Sequence, residues 1–171
     1  YIIQGMAGLM GITGSEESGP MKVGVAIADV LTGLYAVIGI LGALNERNRS
    51  GVGQSLDLAL FDAQVSALVN VASNYLVSGK VPSRLGNLHP NIVPYQTFKT
   101  RDGEMVIAVG NDGQFKRFCS AIGMDQLATD ERFMTNSKRV ENRETLIPIL
   151  VEKMKTKSSQ EWLERFNEVG I

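Results

Sequence analysis

From about Thr32 to Asn45 the chain holds a helical stretch with no polar face. Leu34, Tyr35, Ala36, Val37, Ile38, Gly39, Ile40 and Leu41 follow one another without a break. A helix that is apolar all round has no side to turn to water, so it is expected to be packed on most faces. Gly33, Gly39 and Gly42 each cost about 1 kcal/mol against alanine there, a cost tolerable where something packs very close. Such a helix demands neighbours, and the following sequence offers some. Leu56, Leu58 and Leu60 alternate with Ser55, Asp57 and Ala59, the period of a β-strand. A second helix is expected from about Asp62 to Ser78, with Gly79 as its left-handed cap. Helix, strand and helix in that order read as part of an α/β layer.

The texture changes after Lys80. Residues 81–91 hold Pro82 and Pro90 and show no period, so they read as a loop or linker. Two strand-like runs, Tyr95 to Thr100 and Glu104 to Gly110, then flank Arg101-Asp102-Gly103, which is the pattern of a hairpin. Asp112 is expected to cap a helix running to Ala121 and ended by Gly123. Further helices are expected at about Asn136 to Met154 and Ser159 to Glu168. Ser158-Ser159-Gln160-Glu161 has the form of a capping box. The expected organisation is therefore residues 1–79 from an α/β layer, a linker over 80–94, and a small α+β domain over 95–171.

Charge and composition exclude several classes of function. The 17 basic and 18 acidic side chains nearly cancel, leaving a net charge of −1. A nucleic-acid binder carries a basic footprint, so no nucleic-acid partner is expected. No unbroken apolar run reaches the roughly 18 residues of a membrane span, so no membrane partner is expected either. One cysteine allows no internal disulfide and fits a reducing compartment, the cytoplasm or, in a eukaryote, the mitochondrion. One histidine allows no multi-histidine metal site, so no metal is expected. The apolar ends, Tyr1-Ile2-Ile3 and Val169-Gly170-Ile171, read as cuts in a longer polypeptide. The 18 glycines exceed the usual share of about 7%. Several fall in loops, notably Gly11 to Gly19 and Gly86.

Few residues carry chemistry. Neither Gly11-Ile12-Thr13-Gly14 nor Gly51-Val52-Gly53 has the strand-turn-helix context of a dinucleotide fingerprint. No serine-hydrolase or cysteine-histidine pattern is present. Asp29 stands out as a lone carboxylate in the run Gly24 to Gly33. An unpartnered buried carboxylate is expensive. Two readings account for it: a helix cap that satisfies backbone N–H groups, or a nucleophile or base held in a dry site. His89 reads as a turn or surface residue and Cys119 as a core filler. Lys116 and Arg117 with Lys138, Arg139 and Arg143 read as solvated helix faces.

Taken together the segments resemble one family, the class III CoA-transferases of the formyl-CoA-transferase or CaiB/BaiF type. The resemblance rests on Gly8-Leu9-Met10-Gly11-Ile12-Thr13-Gly14, Ala28-Asp29 with Thr32-Gly33, and Ile40-Leu41-Gly42-Ala43-Leu44 with Arg47. It continues through Ser50 to Asp57, Gly86-Asn87 to Pro94-Tyr95, Asp102-Gly103, Val109 to Asp112 with Gln114-Phe115, and Arg139 with Asn142-Arg143. Gly24 to Ala36 and His89 to Tyr95 most resemble the branch that moves CoA between succinyl-CoA and dicarboxylates such as glutarate. The resemblance implies part of a Rossmann-like large domain followed by a small α+β domain, from an interlaced homodimer. It implies Asp29 as the catalytic residue, forming an aspartyl anhydride and then an aspartyl-CoA thioester. It also implies Gly86, Asn87, His89 and Asn91 as the active-site loop, and Leu60 at a CoA-contacting position. The substrates implied are an acyl-CoA and a carboxylic acid, with coenzyme A as the carried group and no metal. Two alternatives remain at this stage. One is a related α-methylacyl-CoA racemase, with Asp29 as an acid/base and Asp112 near its glutamate position; the other is a non-catalytic binding fragment.

Overall fold

A computed structural model describes residues 1–171. The chain divides into two compact units, 1–86 and 87–171, and the division falls inside the 80–94 stretch.

The first unit is helical. It contains α1 (Ile2–Met6), α2 (Leu9–Ile12), α3 (Ile27–Ser50), α4 (Leu60–Ser66) and α5 (Val69–Ser78). Helix α3 runs further in both directions than its apolar run alone indicates. Gly51 stops it, adopting φ 74° and donating its N–H to the Arg47 carbonyl at 2.8 Å. Asp29 lies in its first turn, and Arg47 and Arg49 in its last, so both ends complement the helix dipole.

The expectation that this helix is packed on most faces is not met within residues 1–171. Only Ala28 of α3 is buried, while Leu34, Val37, Ile38, Ile40 and Leu41 are exposed. The glycines divide accordingly. A Cβ on Gly39 would meet Leu56 Cδ1 at 3.5 Å, but Gly33 and Gly42 face open space. The expectation of no membrane-length stretch also needs correcting. By length and composition alone, the 24 residues of α3 are long and apolar enough to cross a bilayer. Its glycines and Thr32 interrupt the apolar run without making the helix polar.

The strand expected at residues 55–60 is absent. Residues 52–59 are neither helix nor strand, and Leu60 opens α4. A strand exists only as a member of a ladder, and the first unit supplies no partner. The helix expected over 62–78 is broken at Ala67-Leu68, and Val69 takes φ 42°. Its cap is as expected: Gly79 has φ 69° and donates to the Tyr75 carbonyl at 2.7 Å.

The second unit holds the hairpin, β1 (Tyr95–Lys99) with β2 (Glu104–Ala108), antiparallel from Tyr95 opposite Ala108 to Lys99 opposite Glu104. Phe98 and Ile107 point into the core. Helices α6 (Asp112–Ala121), α7 (Gln126–Thr129), α8 (Asn136–Glu141), α9 (Arg143–Met154) and α10 (Ser159–Val169) complete it. The cap of α6 is Asn111, whose side chain accepts from Gln114 N–H at 2.9 Å, so Asp112 is not the cap. The single helix expected over 136–154 is two. Asn142 divides them, with its side-chain amide donating to the carbonyls of Lys138 and Arg132. The capping box of α10 is present in full.

Phe115, Phe118, Phe133, Leu146, Leu150, Met154, Trp162 and Phe166 form the core of this unit with the hairpin residues. Cys119 lies among them, and burial pushes its thiol up to about 12. Arg139 corrects the reading of a solvated basic face. It is fully buried, and it donates to the carbonyls of Val93 (2.7 Å) and Phe133 (3.0 Å) and to Asp112 Oδ1 (2.9 Å). Its guanidinium lies over the Phe115 ring at 4.3 Å. A charge is tolerable there because each donor edge finds an oxygen and the face finds a π-system.

Candidate functional site

In the first unit the candidate site is built around the start of α3. The helix begins at Ile27 with Ala26 as its N-cap and no capping side chain. Asp29 is therefore a first-turn residue and not the cap, which removes one of the two readings of its carboxylate. It is exposed, so a dry site around it is not formed by residues 1–171 alone. Beside it lies a cavity of about 280 Å³, lined by Tyr1, Ile2, Ile3, Gln4, Ala28, Asp29 and Leu60. The sequence-expected pair Asp29 and Leu60 thus meet at one cavity, Leu60 arriving on the first turn of α4.

Gln4 was not singled out in the sequence. It is 2% exposed, although its residue type is normally at the surface. Its Nε2 donates to the Val25 carbonyl at 3.1 Å, and its Oε1 accepts from Val23 N–H at 2.8 Å. A signal existed in the chain, a lone glutamine within the apolar start of α1. Its partners, however, are backbone groups 19 and 21 residues away, which no local pattern discloses. Gln64, one turn beyond Leu60 on α4, is also fully buried, and its amide has no hydrogen-bond partner in residues 1–171.

The expected loop residues divide between the two units. Gly86 belongs to the first, takes φ 58° and donates its N–H to the Gly14 carbonyl at 2.8 Å. Asn87, His89 and Asn91 belong to the second. His89 is half-buried, and its ring stacks on Tyr95 with centroids 5.0 Å apart. Its Nδ1 accepts from Asn91 N–H at 3.1 Å. Three side chains hold the backbone that follows. Arg143 donates to the carbonyls of His89 and Pro90, Asn136 to that of Asn91, and Arg139 to that of Val93. Residues 89–93 are thus fastened to α8 and α9 by charge-assisted and amide hydrogen bonds. Burial lowers Arg143 from its ordinary range, as it does Arg139. Asp112 is occupied as the counter-ion of Arg139.

The sequence profile of CoA-transferase family III matches residues 1–171. The chain belongs to this family. Among curated proteins it is 52% identical, over 143 residues, to a succinate–glutarate CoA-transferase of Agrobacterium fabrum. That match covers 84% of this chain and 36% of the relative. It is 42% identical over 170 residues to the succinyl-CoA:glutarate CoA-transferase of Mus musculus, covering 99% of this chain and 39% of the relative. A crystal structure of a CaiB/BaiF family protein from Brucella suis matches with a TM-score of 0.74 and 50% identity. It covers 99% of this chain and 45% of that one. The chain therefore spans less than half the length of the relatives it matches. Its mixed helix and strand content follows the fold of that structure.

Proposed function

We propose that the full-length protein moves CoA between succinyl-CoA and a second carboxylic acid, a dicarboxylate such as glutarate, with Asp29 as the nucleophile. The observation that carries this reading is the placement of Asp29 beside a cavity. It stands on the first turn of α3, at the positive end of the helix dipole, in a chain half identical to a succinate–glutarate CoA-transferase. The carboxylate attacks the thioester carbonyl, the C–S bond breaks, and CoA leaves as its thiolate. The product is an acyl-aspartyl anhydride. The thiolate then attacks the aspartyl carbonyl, which releases the donor acid and leaves an aspartyl-CoA thioester. The acceptor carboxylate attacks that thioester and expels the thiolate again, giving a second anhydride. Attack of the thiolate on the acceptor's acyl carbon yields the new acyl-CoA and regenerates Asp29. Splitting one exchange into such steps is covalent catalysis.

An anhydride survives only where water is excluded. Asp29 is exposed in residues 1–171, so in this reading its cover comes from other parts of the full-length protein. In this reading the first unit contributes to a Rossmann-like large domain, and the full-length protein forms an interlaced homodimer in the cytoplasm. Gly86, Asn87, His89 and Asn91 act as the active-site loop, and Leu60 contacts CoA. No observation favours the racemase reading, since Asp112 is engaged by Arg139.

The test is to incubate full-length protein with succinyl-CoA, trap with hydroxylamine, and map the modified peptide by mass spectrometry. The expected adduct is on Asp29 and is lost in Asp29→Ala. Equal labelling of wild type and Asp29→Ala would overturn the proposal.

A further inference from the structure

The start of α3 lacks the usual means of fixing a helix N-terminus. Ala26 offers no capping side chain, and Val23 and Val25 lie outside any strand. The Gln4 carboxamide takes over that task. Its oxygen accepts from Val23 N–H and its nitrogen donates to the Val25 carbonyl, two backbone groups that lie outside any strand ladder. The carboxamide belongs to a buried residue, Gln4 being 2% exposed, and both bonds are partly buried. The Val25 carbonyl also accepts from Ile27 N–H at 2.9 Å, which ties the clamp directly to the first residue of α3. Asp29 follows two residues later, and Gln4 and Asp29 line the same cavity.

We infer that Gln4 is the positioning residue for Asp29: its carboxamide fixes residues 23–25 and thereby the angle at which the first turn of α3 presents the carboxylate to the cavity. The inference rests on the reading of Asp29 as nucleophile. Both polar atoms of the Gln4 side chain are engaged by backbone, so Gln4 acts through Asp29. A nucleophile displaced by about 1 Å can lose about a hundredfold in rate. The loss belongs to the chemical step and not to binding, since Gln4 offers substrate no group of its own.

The experiment follows acylation of Asp29 by succinyl-CoA in full-length protein, using hydroxylamine trapping in single turnovers, for wild type, Gln4→Met and Gln4→Glu. Rates are taken per folded molecule. In Gln4→Met, which keeps length but neither hydrogen bond, acylation is expected to fall at least about tenfold with the succinyl-CoA KM little changed. In Gln4→Glu, a protonated carboxyl can reproduce both bonds of the amide, whereas the carboxylate repels the Val25 carbonyl. Its rate relative to wild type is therefore expected to rise as pH falls, a dependence that a general loss of stability would not produce. Folded Gln4→Met acylating within about twofold of wild type would overturn the inference. Amide exchange supplies the reading if the variants do not fold: Val23 N–H is expected to be protected in wild type, and an unprotected Val23 overturns the clamp. Absence of any Asp29 adduct in wild type would instead refute the nucleophile itself, an outcome distinct from all of these.

Discussion

At the scale of single residues, Arg139 ties three separate segments of the second unit together. It joins the end of the 87–94 segment through the Val93 carbonyl, the 130–135 turn through the Phe133 carbonyl, and the first turn of α6 through Asp112. Replacing it with leucine leaves two carbonyls without their donor and a carboxylate without its counter-ion. Arg139→Leu is expected to destabilise the unit by about 3–5 kcal/mol. Asp112→Ala is expected to cost less, about 1–2 kcal/mol, because the Asp112 side chain is 48% exposed and water already screens that arm. Urea denaturation of the two variants checks the order, and equal losses would contradict this account.

At the scale of elements, α10 shows how a helix is tied to a distant turn. Its capping box joins Ser158 and Glu161, and Asp102 of the hairpin turn accepts from Ser159 N–H at 2.8 Å. Backbone hydrogen bonding from Ser159 holds Asp102 below its ordinary value of 3.8, and that from Ser158 holds Glu161 below 4.5. Both pKa values are depressed in the folded state. Their contribution is therefore fully present above the ordinary values and is lost as pH falls through the lower, folded ones. The start of α10 is expected to loosen below about pH 4, and Trp162, the chain's single tryptophan, reports it from within that helix. A red shift of its emission over that range is the expected result; an emission unchanged down to about pH 2 would contradict it. Elements of this kind were legible in the sequence because their causes are local. The Asp-Gly turn, Gly79 and the Ser158 box each act within a few residues. What was not legible depends on distant partners. The alternation at Leu56 to Leu60 fits a strand but finds no ladder, and Asn142 interrupts a helix by bonding back to Arg132 and Lys138. Arg139 looked like a surface charge because its acceptors lie on other elements. Asp29 was legible as unusual, and the resemblance to a family gave it a role. Gln4 showed only as a lone glutamine in an apolar stretch, and its role depends on partners 19 and 21 residues away.

At the scale of the whole chain, the two units are unequal in what holds them together. Every member of the main hydrophobic core lies between Val93 and Phe166, all in the second unit. The buried apolar residues of the first unit are Ala7, Ala28 and Ala63, which have little side chain to bury. None of its large apolar residues is fully buried, and many are exposed. Ile38 is 65% exposed and Leu41 61%, and a further apolar groove of about 490 Å³ runs between α2 and α5, past Ile12, Leu68 and Tyr75. Burying one such side chain contributes about 1.5–3 kcal/mol, so the second unit has a driving force that the first lacks. An excised 87–171 segment is therefore expected to unfold cooperatively and as a monomer. An excised 1–86 segment is expected to associate or to lack a cooperative transition, because α3 gains stability only when its apolar faces are covered. Sedimentation and thermal melts of the two segments decide it. A monomeric, cooperative melt of 1–86 would show that packing among α1, α3 and α4, with the Gln4 clamp, is sufficient to hold the first unit.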